Sequence, residues 1–323
     1  MPGKIVVIGS SNVDLIMKMA RLPQRGETIT DAVFLQTFGG KGANQTVAAA
    51  RAGGTVSFVN CVGDDRYGAA IIDNMKAANI DVEFMFVAPD EASGTALVMI
   101  GEGGDNYLSV APGANYCLTR THIDQIKPLI AQAAMIMLQC EIASDCLEYV
   151  ITVAAEQQRP IMLNLAPARA LPETCLQRLA YLIVNESEAE FLGGCAVDSL
   201  ERAKEAARAL RARGPRVVVI TLGAQGACVA DDSTVIHVPA FVVQPVDATA
   251  AGDTFCGALA VALVEGQPLA QAAKFANAAA AIAVTRLGAQ PSIPARQEIE
   301  QFLCSTTRNR KRRASSPGVE YFL

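Results

Sequence analysis

Residues 247–258 read DATAAGDTFCGA. Two acids, Asp247 and Asp253, bracket a run of small residues, and the pattern after Asp253 turns helical. Asp and Thr beside small residues can serve only as helix caps, accepting hydrogen bonds from free backbone N–H groups. The same residues also leave room for an anion at the helix N-terminus, with a carboxylate beside it to take a proton. This stretch alone leaves both readings open.

Three other stretches could do chemistry. Phe38-Gly39-Gly40-Lys41-Gly42-Ala43-Asn44-Gln45 precedes a helical run at Ala43–Ala52. Its missing side chains could let a small molecule approach the backbone. Asn44 can donate and accept, which suits a polyhydroxylated ligand. No G-x-x-x-x-G-K-[ST] loop occurs in the chain. Thr221-Leu222-Gly223-Ala224-Gln225-Gly226 follows the apolar run Val217–Thr221. Sheets flanked by helices bind ligands at such strand ends, although the loop could also be a hairpin into Ala227–Ala230. In Asn185-Glu186-Ser187-Glu188, an Asn and an acid three apart share a helix face. They could sit near a hydrated Mg²⁺, or simply form a helix cap.

The elements that must position these residues alternate. Strand-like runs are Lys4–Ile8, Val56–Cys61, Met135–Gln139, Pro160–Asn164, Tyr181–Val184 and Val217–Thr221. Helical runs are Ala43–Ala52, Tyr67–Ala78, His122–Ala131, Cys146–Glu156, Ser187–Leu192 and Leu200–Ala212. Alternation of this kind predicts an α/β fold, a mostly parallel sheet with helices on both faces. Aromatics are only 5% of the chain and Trp is absent, so the core must be aliphatic and closely packed. Residues 14–38 and 95–110 break the pattern as paired extended segments, which predicts a small accessory sheet able to close over a ligand. Its free face would need cover, which a second copy of the chain could supply.

Composition excludes several classes. A net charge of −5 gives no field favouring nucleic acid. Nine scattered cysteines, no C-x-x-C pair and two histidines argue against a zinc site and for buried thiols in a reducing compartment. The opening MPGKIVVIG enters a strand at once, and the Ala-rich run 276–284 is too short to span a bilayer. The expectation is a soluble cytoplasmic protein with no nucleic-acid or membrane partner. The basic, then Ser/Pro-rich stretch Thr306–Leu323 is expected to be a disordered, solvated tail after a helix at Gln297–Leu303 closes the fold.

The motifs together resemble the ribokinase/PfkB carbohydrate kinase family. Gly9–Asp14, Phe38–Gln45, Val62–Asp65, Pro112–Asn115, Asn185–Glu188, Thr221–Gly226, Asp247–Ala258 and Thr285–Ser292 keep the family's order over residues 4–303. The resemblance implies a kinase domain at 1–305, with its lid at 14–38 and 95–110, that transfers phosphate from ATP to O5 of D-ribose. It assigns the general base to Asp253 and an anion hole to Ala250, Ala251 and Gly252. It assigns sugar contacts to Asn12, Asp14, Gly40, Lys41, Gly42, Asn44 and Glu141. Nucleotide contacts fall on Asn185, Thr221, Gly223, Gly226, Gly252 and Asn277. Mg²⁺ would accompany ATP, with Glu188 acting through water. A K⁺ ion would sit among Asp247, Thr249, Ala283, Arg286, Gly288 and Ser292. The resemblance also implies a homodimer through the lid. Ala248 and Cys256 depart from the family's commoner Thr and Asn. A kinase of 2-deoxyribose, fructose or a nucleoside is the near alternative. A non-catalytic sugar-binding regulator is the distant one.

Overall fold

The computed structural model describes residues 3–103 and 105–315. Its strands are β1 (Ile5–Ile8), β2 (Asn12–Met19), β3 (Val33–Gly39), β4 (Val56–Gly63), β5 (Met85–Ala88), β6 (Thr95–Gly101), β7 (Asn106–Ala111), β8 (Met135–Leu138), β9 (Ile161–Asn164), β10 (Tyr181–Asn185), β11 (Val217–Thr221), β12 (Ala227–Ala230) and β13 (Val235–Val238). Its helices are α1 (Lys41–Arg51), α2 (Arg66–Ala77), α3 (Arg120–Gln125), α4 (Lys127–Gln132), α5 (Ser144–Glu156), α6 (Glu173–Leu176), α7 (Glu186–Gly193), α8 (Leu200–Ala212), α9 (Ala251–Val264), α10 (Leu269–Ala283) and α11 (Arg296–Ser315).

The main sheet has nine strands in the order β13-β12-β11-β10-β9-β8-β1-β4-β5. From β11 across to β5 neighbouring strands are parallel, and only β12 and β13 run antiparallel. Every residue of β1, β4 and β8 is buried, which is why these runs are apolar or small without alternation. Along β1, Ile5 and Val7 enter one core layer, and Val6 and Ile8 enter the other. The first layer is closed by α1, α9 and α10, which pack through alanines such as Ala48, Ala258 and Ala276. A Cβ on Gly257 would lie 2.5 Å from the Ala48 Cβ, so α1 and α9 touch nearly backbone to backbone. The second layer carries larger side chains, among them Ile130, Leu147, Ile151 and Leu210.

A separate four-stranded sheet, ordered β3-β2-β6-β7, forms the lid expected from residues 14–38 and 95–110. It carries exposed Met17, Val33, Phe34, Leu35, Leu97, Tyr107, Leu108 and Val110.

Two expectations change. The single helix expected at 122–131 is two, α3 and α4, because Pro128 sits in the first turn of α4 and cannot donate to a continuing helix. The tail expected to be disordered from Thr306 instead continues α11 to Ser315. Its Arg and Lys residues are good helix formers, and the first proline lies at 317. Residues 316–323 lie outside the described part of the chain.

Candidate active site

The winding reverses between β1 and β8, which are neighbours although the chain leaves them toward opposite edges of the sheet. That reversal opens a crevice at their carboxyl ends. The loops after β1, β8 and β9 meet the N-termini of α1 and α9 there.

α9 starts at Ala251, with Ala250 as its N-cap in the left-handed region at φ 58° and no side chain capping it. The N–H of Ala251 turns back to the Ala248 carbonyl at 3.2 Å, and that of Thr254 bonds Ala250 at 2.8 Å. Gly252 and Asp253 therefore keep the first-turn N–H groups that no helix carbonyl can meet. A Cβ on Gly252 would meet nothing within 4 Å, so open space lies over these donors. Of the expected anion-hole residues, Gly252 faces that space, Ala250 makes the turn, and Ala251 uses its N–H within the loop.

The Asp253 carboxylate is buried, 7% exposed. Asn44 Nδ2 donates to its Oδ2 at 3.0 Å, and Gln45 Nε2 donates to its Oδ1 at 3.0 Å. Nearby, burial alone would lower the Lys41 ammonium, but the charges of Asp253, Glu141 and Glu188 outweigh it and hold it above its ordinary value. Lys41 thus stays cationic among three acids.

The loop after β1, where a sugar is expected, is held from behind. Asn12 Oδ1 accepts from Asn115 Nδ2 at 2.9 Å. Asn115 Oδ1 in turn accepts from the Ser11 N–H at 2.8 Å and from Asn60 Nδ2 at 3.0 Å. Glu141 accepts the Lys41 N–H at 2.9 Å and the Ser10 hydroxyl, so an acid sits on the N-terminus of α1. The Asp14 carboxyl is pushed up to about 7, first by burial and then by the charge of Glu141.

The glycines serve close packing. Cβ atoms on Gly40 and Gly42 would lie 2.7 Å from Ser11 Cα and 2.5 Å from the Ser10 N–H nitrogen. They allow α1 to pack against the loop after β1. Gly40 also has φ 87°.

On the other side of the α9 N-terminus lies a mostly apolar cavity of about 450 Å³. Thr221, Gly223, Gly226, Gly252 and Asn277 line it, with Val243 and Ala281 among its apolar walls. Asn277 donates to the carbonyls of Val238 and Pro239 at 2.9 and 3.3 Å, and so supports the wall instead of presenting its N–H groups to the cavity. Asn185 is not among the lining residues. It caps α7, accepting from the Glu188 N–H at 2.8 Å, while Glu188 Oε2 accepts from the Asn185 N–H at 2.8 Å. Burial raises the Glu188 carboxyl, against that hydrogen bond and the Lys41 charge.

Asp247 ties two segments together. Its Oδ1 accepts from Thr249, and its Oδ2 accepts from the Gly288 N–H at 2.9 Å. These hydrogen bonds outweigh burial and lower its carboxyl. The Arg286 side chain pairs with Glu298, and a guanidinium has no acceptor, so only the backbone oxygen of that residue could meet an ion. Ser292 is buried, with its hydroxyl on the Ala289 carbonyl at 2.7 Å.

Sequence reasoning missed Gln45, Gln139, Asn164, Ser10 and Asn115 as contributors. Gln139 and Asn164 each stand beside or within a strand end, directly after apolar residues. A polar residue at the carboxyl end of a buried parallel strand was the signal available. Gln45 was hidden by its neighbour Asn44, because consecutive helical residues are expected to face different ways.

The doubly wound sheet thus sets the helix-terminal carboxylate beside the adjoining cavity. The chain belongs to the pfkB family of carbohydrate kinases, whose model matches residues 2–296. It is 40% identical to the ribokinase of Bacillus subtilis over 299 residues, 93% of this chain and 99% of that protein. It is 33% identical to a deoxyribokinase of Salmonella typhi, over 93% of this chain and 98% of that one. The structure of Arabidopsis thaliana ribokinase complexed with ribose and ATP superposes with a TM-score of 0.89 at 30% identity, covering 94% of this chain and 99% of that one.

Proposed function

We propose that this chain transfers the γ-phosphate of ATP to the O5 hydroxyl of D-ribose, giving ribose 5-phosphate and ADP. The observation that carries the reading is the Asp253 carboxylate, gripped by Asn44 from the glycine-rich helix while Gly252 beside it opens onto the cavity. The likeness to ribokinases over nearly the whole chain supports ribose as the acceptor.

In this reading the sugar lies between Asn12, Asp14, Asn44 and Glu141, and the adenine lies in the cavity. The O5 proton passes to Asp253 as O5 attacks the γ-phosphorus. The bond from that phosphorus to the β–γ bridging oxygen breaks, and ADP leaves with the electron pair. A positioned base of this kind contributes roughly 10²–10⁴ in rate. The free N–H groups of Gly252 and Asp253 stabilise charge on the phosphoryl oxygens. Lys41 adds a fixed positive charge.

Mg²⁺ belongs to the same proposal. No cluster of three metal-ligating side chains exists among the described residues. An ion on ATP would therefore be held by phosphate oxygens and water, with Glu188 as an outer partner. When bound it neutralises charge on the phosphates. For K⁺, Asp247 and Gly288 bring the two expected segments together, and the donors are all oxygen, which fits a large, weakly hydrated cation. We assign the protein to the cytoplasm, a reading supported by nine cysteines without a disulfide. No helix among the described residues is long and apolar enough to cross a membrane.

The test is ATP consumption with ribose, 2-deoxyribose and fructose, with and without K⁺. Preferred turnover of 2-deoxyribose would favour the deoxyribokinase alternative. No turnover of any sugar would leave only a binding role.

A further inference from the structure

Gln45 and Gln139 are both 0% exposed. A buried amide is costly unless its polar atoms are paired. Gln45 uses all of its polar groups. Its Nε2 donates to Asp253 Oδ1 at 3.0 Å and to Asn164 Oδ1 at 2.9 Å, while its Oε1 accepts from Gln139 Nε2 at 2.7 Å. Asn164 is itself held through Nδ2 to the Ile183 carbonyl at 3.3 Å. Turning the Gln45 amide over would set its oxygen against two acceptor oxygens, so its polarity is fixed by its partners. Gln139 and Asn164 stand at the carboxyl ends of β8 and β9, so the sheet itself anchors this chain of amides.

We propose that Gln45 is a positioning residue for the base. Held by Gln139 and Asn164, its amide clamps Oδ1 of Asp253 from the buried side and leaves Oδ2 to receive the sugar's proton. Oδ2 lies against the Asn44 amide, whose Oδ1 is buried without a partner and stands ready for the incoming hydroxyl. The inference rests on Asp253 being the base of a sugar kinase, as proposed above.

The test separates turnover from ribose affinity. Gln45→Met is close in shape and donates nothing, so kcat should fall about tenfold or more, as expected for loss of a hydrogen bond to a charged acceptor, while ribose affinity read by calorimetry stays within about twofold. Gln45→Glu sets a second acid against Asp253 and should lower kcat further. Gln139→Met, which does not touch Asp253, should lower it by less. An amide that only fills space would lower thermal stability with kcat kept, or weaken ribose binding as much as turnover, and either result in a folded Gln45→Met overturns the inference. Should Gln45→Met not fold, the split in Gln45→Glu decides in the same sense, and that in Gln139→Met decides if neither Gln45 variant folds. Absence of ribose phosphorylation by the unaltered protein would instead sink the kinase reading.

Discussion

Asn44 and Asp253 are 209 positions apart in the chain, and their side chains meet at 3.0 Å. One stands in the first turn of α1 and the other in the first turn of α9. The two helices pack almost backbone to backbone through Gly257 and Ala48. In the proposed reading, sugar recognition and proton removal share this one contact, which suits catalysis that works by positioning.

Asp253→Asn keeps the shape and removes the proton acceptor. We expect kcat to fall by about two orders of magnitude or more, the share of a positioned base. Ribose binding, read by calorimetry, should persist. A kcat within twofold of the unaltered protein would place the base elsewhere.

Asp14 predicts a pH dependence in sugar binding. Its carboxyl titrates near 7 because it is buried beside Glu141. Only the ionised form accepts at both oxygens, so KM for ribose should fall as pH rises from 6 to 8. Stability runs the other way. The folded state holds a proton that the unfolded chain releases near its ordinary value of 3.8, so the stability linked to this proton is fully present below that value and is lost as pH rises through about 7. Asp14→Asn should flatten the KM profile and remove this slope from Tm against pH. Unchanged profiles in the variant would exclude Asp14 as the titrating group.

Two glycines make a contrasting pair. A Cβ at Gly42 would strike the Ser10 backbone nitrogen at 2.5 Å, whereas one at Gly252 meets nothing within 4 Å. Gly42→Val should therefore lose soluble protein and lower Tm. Gly252→Val should keep Tm within a few degrees and raise KM for ATP, because the side chain enters the space over the anion-binding amides. If Gly252→Val left ATP kinetics intact, the phosphate could not lie there.

Activity should rise when K⁺ replaces tetramethylammonium at equal ionic strength. Asp247 is held ionised by Thr249 and Gly288, so it can carry the charge of such a site. Asp247→Asn should remove the K⁺ response. A K⁺ response of equal size in that variant would move the ion away from this loop.

Much of this was legible in the sequence. The strands stood out as short Val- and Ile-rich runs because parallel strands buried on both faces cannot alternate, and Val217–Thr221 and Leu200–Ala212 match to the residue. Asp253 and Asn44 could be marked because each stands among small residues at a helix start, whereas Glu141 came only with the family resemblance. Gln139 and Asn164 carried one local signal, a polar residue at the end of a buried strand, but what they and Gln45 do arises from three elements meeting at the sheet's reversal. The glycines of the α1 motif were found, but only the fold reveals what a side chain there would strike.

The lid supplies the last prediction. Successive strand residues face opposite ways, and the register places Phe34, Leu97 and Tyr107 on one face of the small sheet and Leu35, Leu108 and Val110 on the face that carries Asp14; all six are exposed. An apolar face of this kind is a candidate interface. β3 and β7 are also the edges of their small sheet, which a protein ordinarily covers or blunts. β2 begins at Asn12 and carries Asp14, so in the proposed reading this sheet stands beside the sugar. A second copy covering the Phe34 face, away from Asp14, would hold it in place. Sedimentation should therefore give a dimer at micromolar concentration. Tyr107→Asp together with Phe34→Asp should give a monomer with raised KM for ribose, because a charge buried in that interface would lack a partner. A monomeric unaltered protein with full activity would show that the lid closes without a second copy.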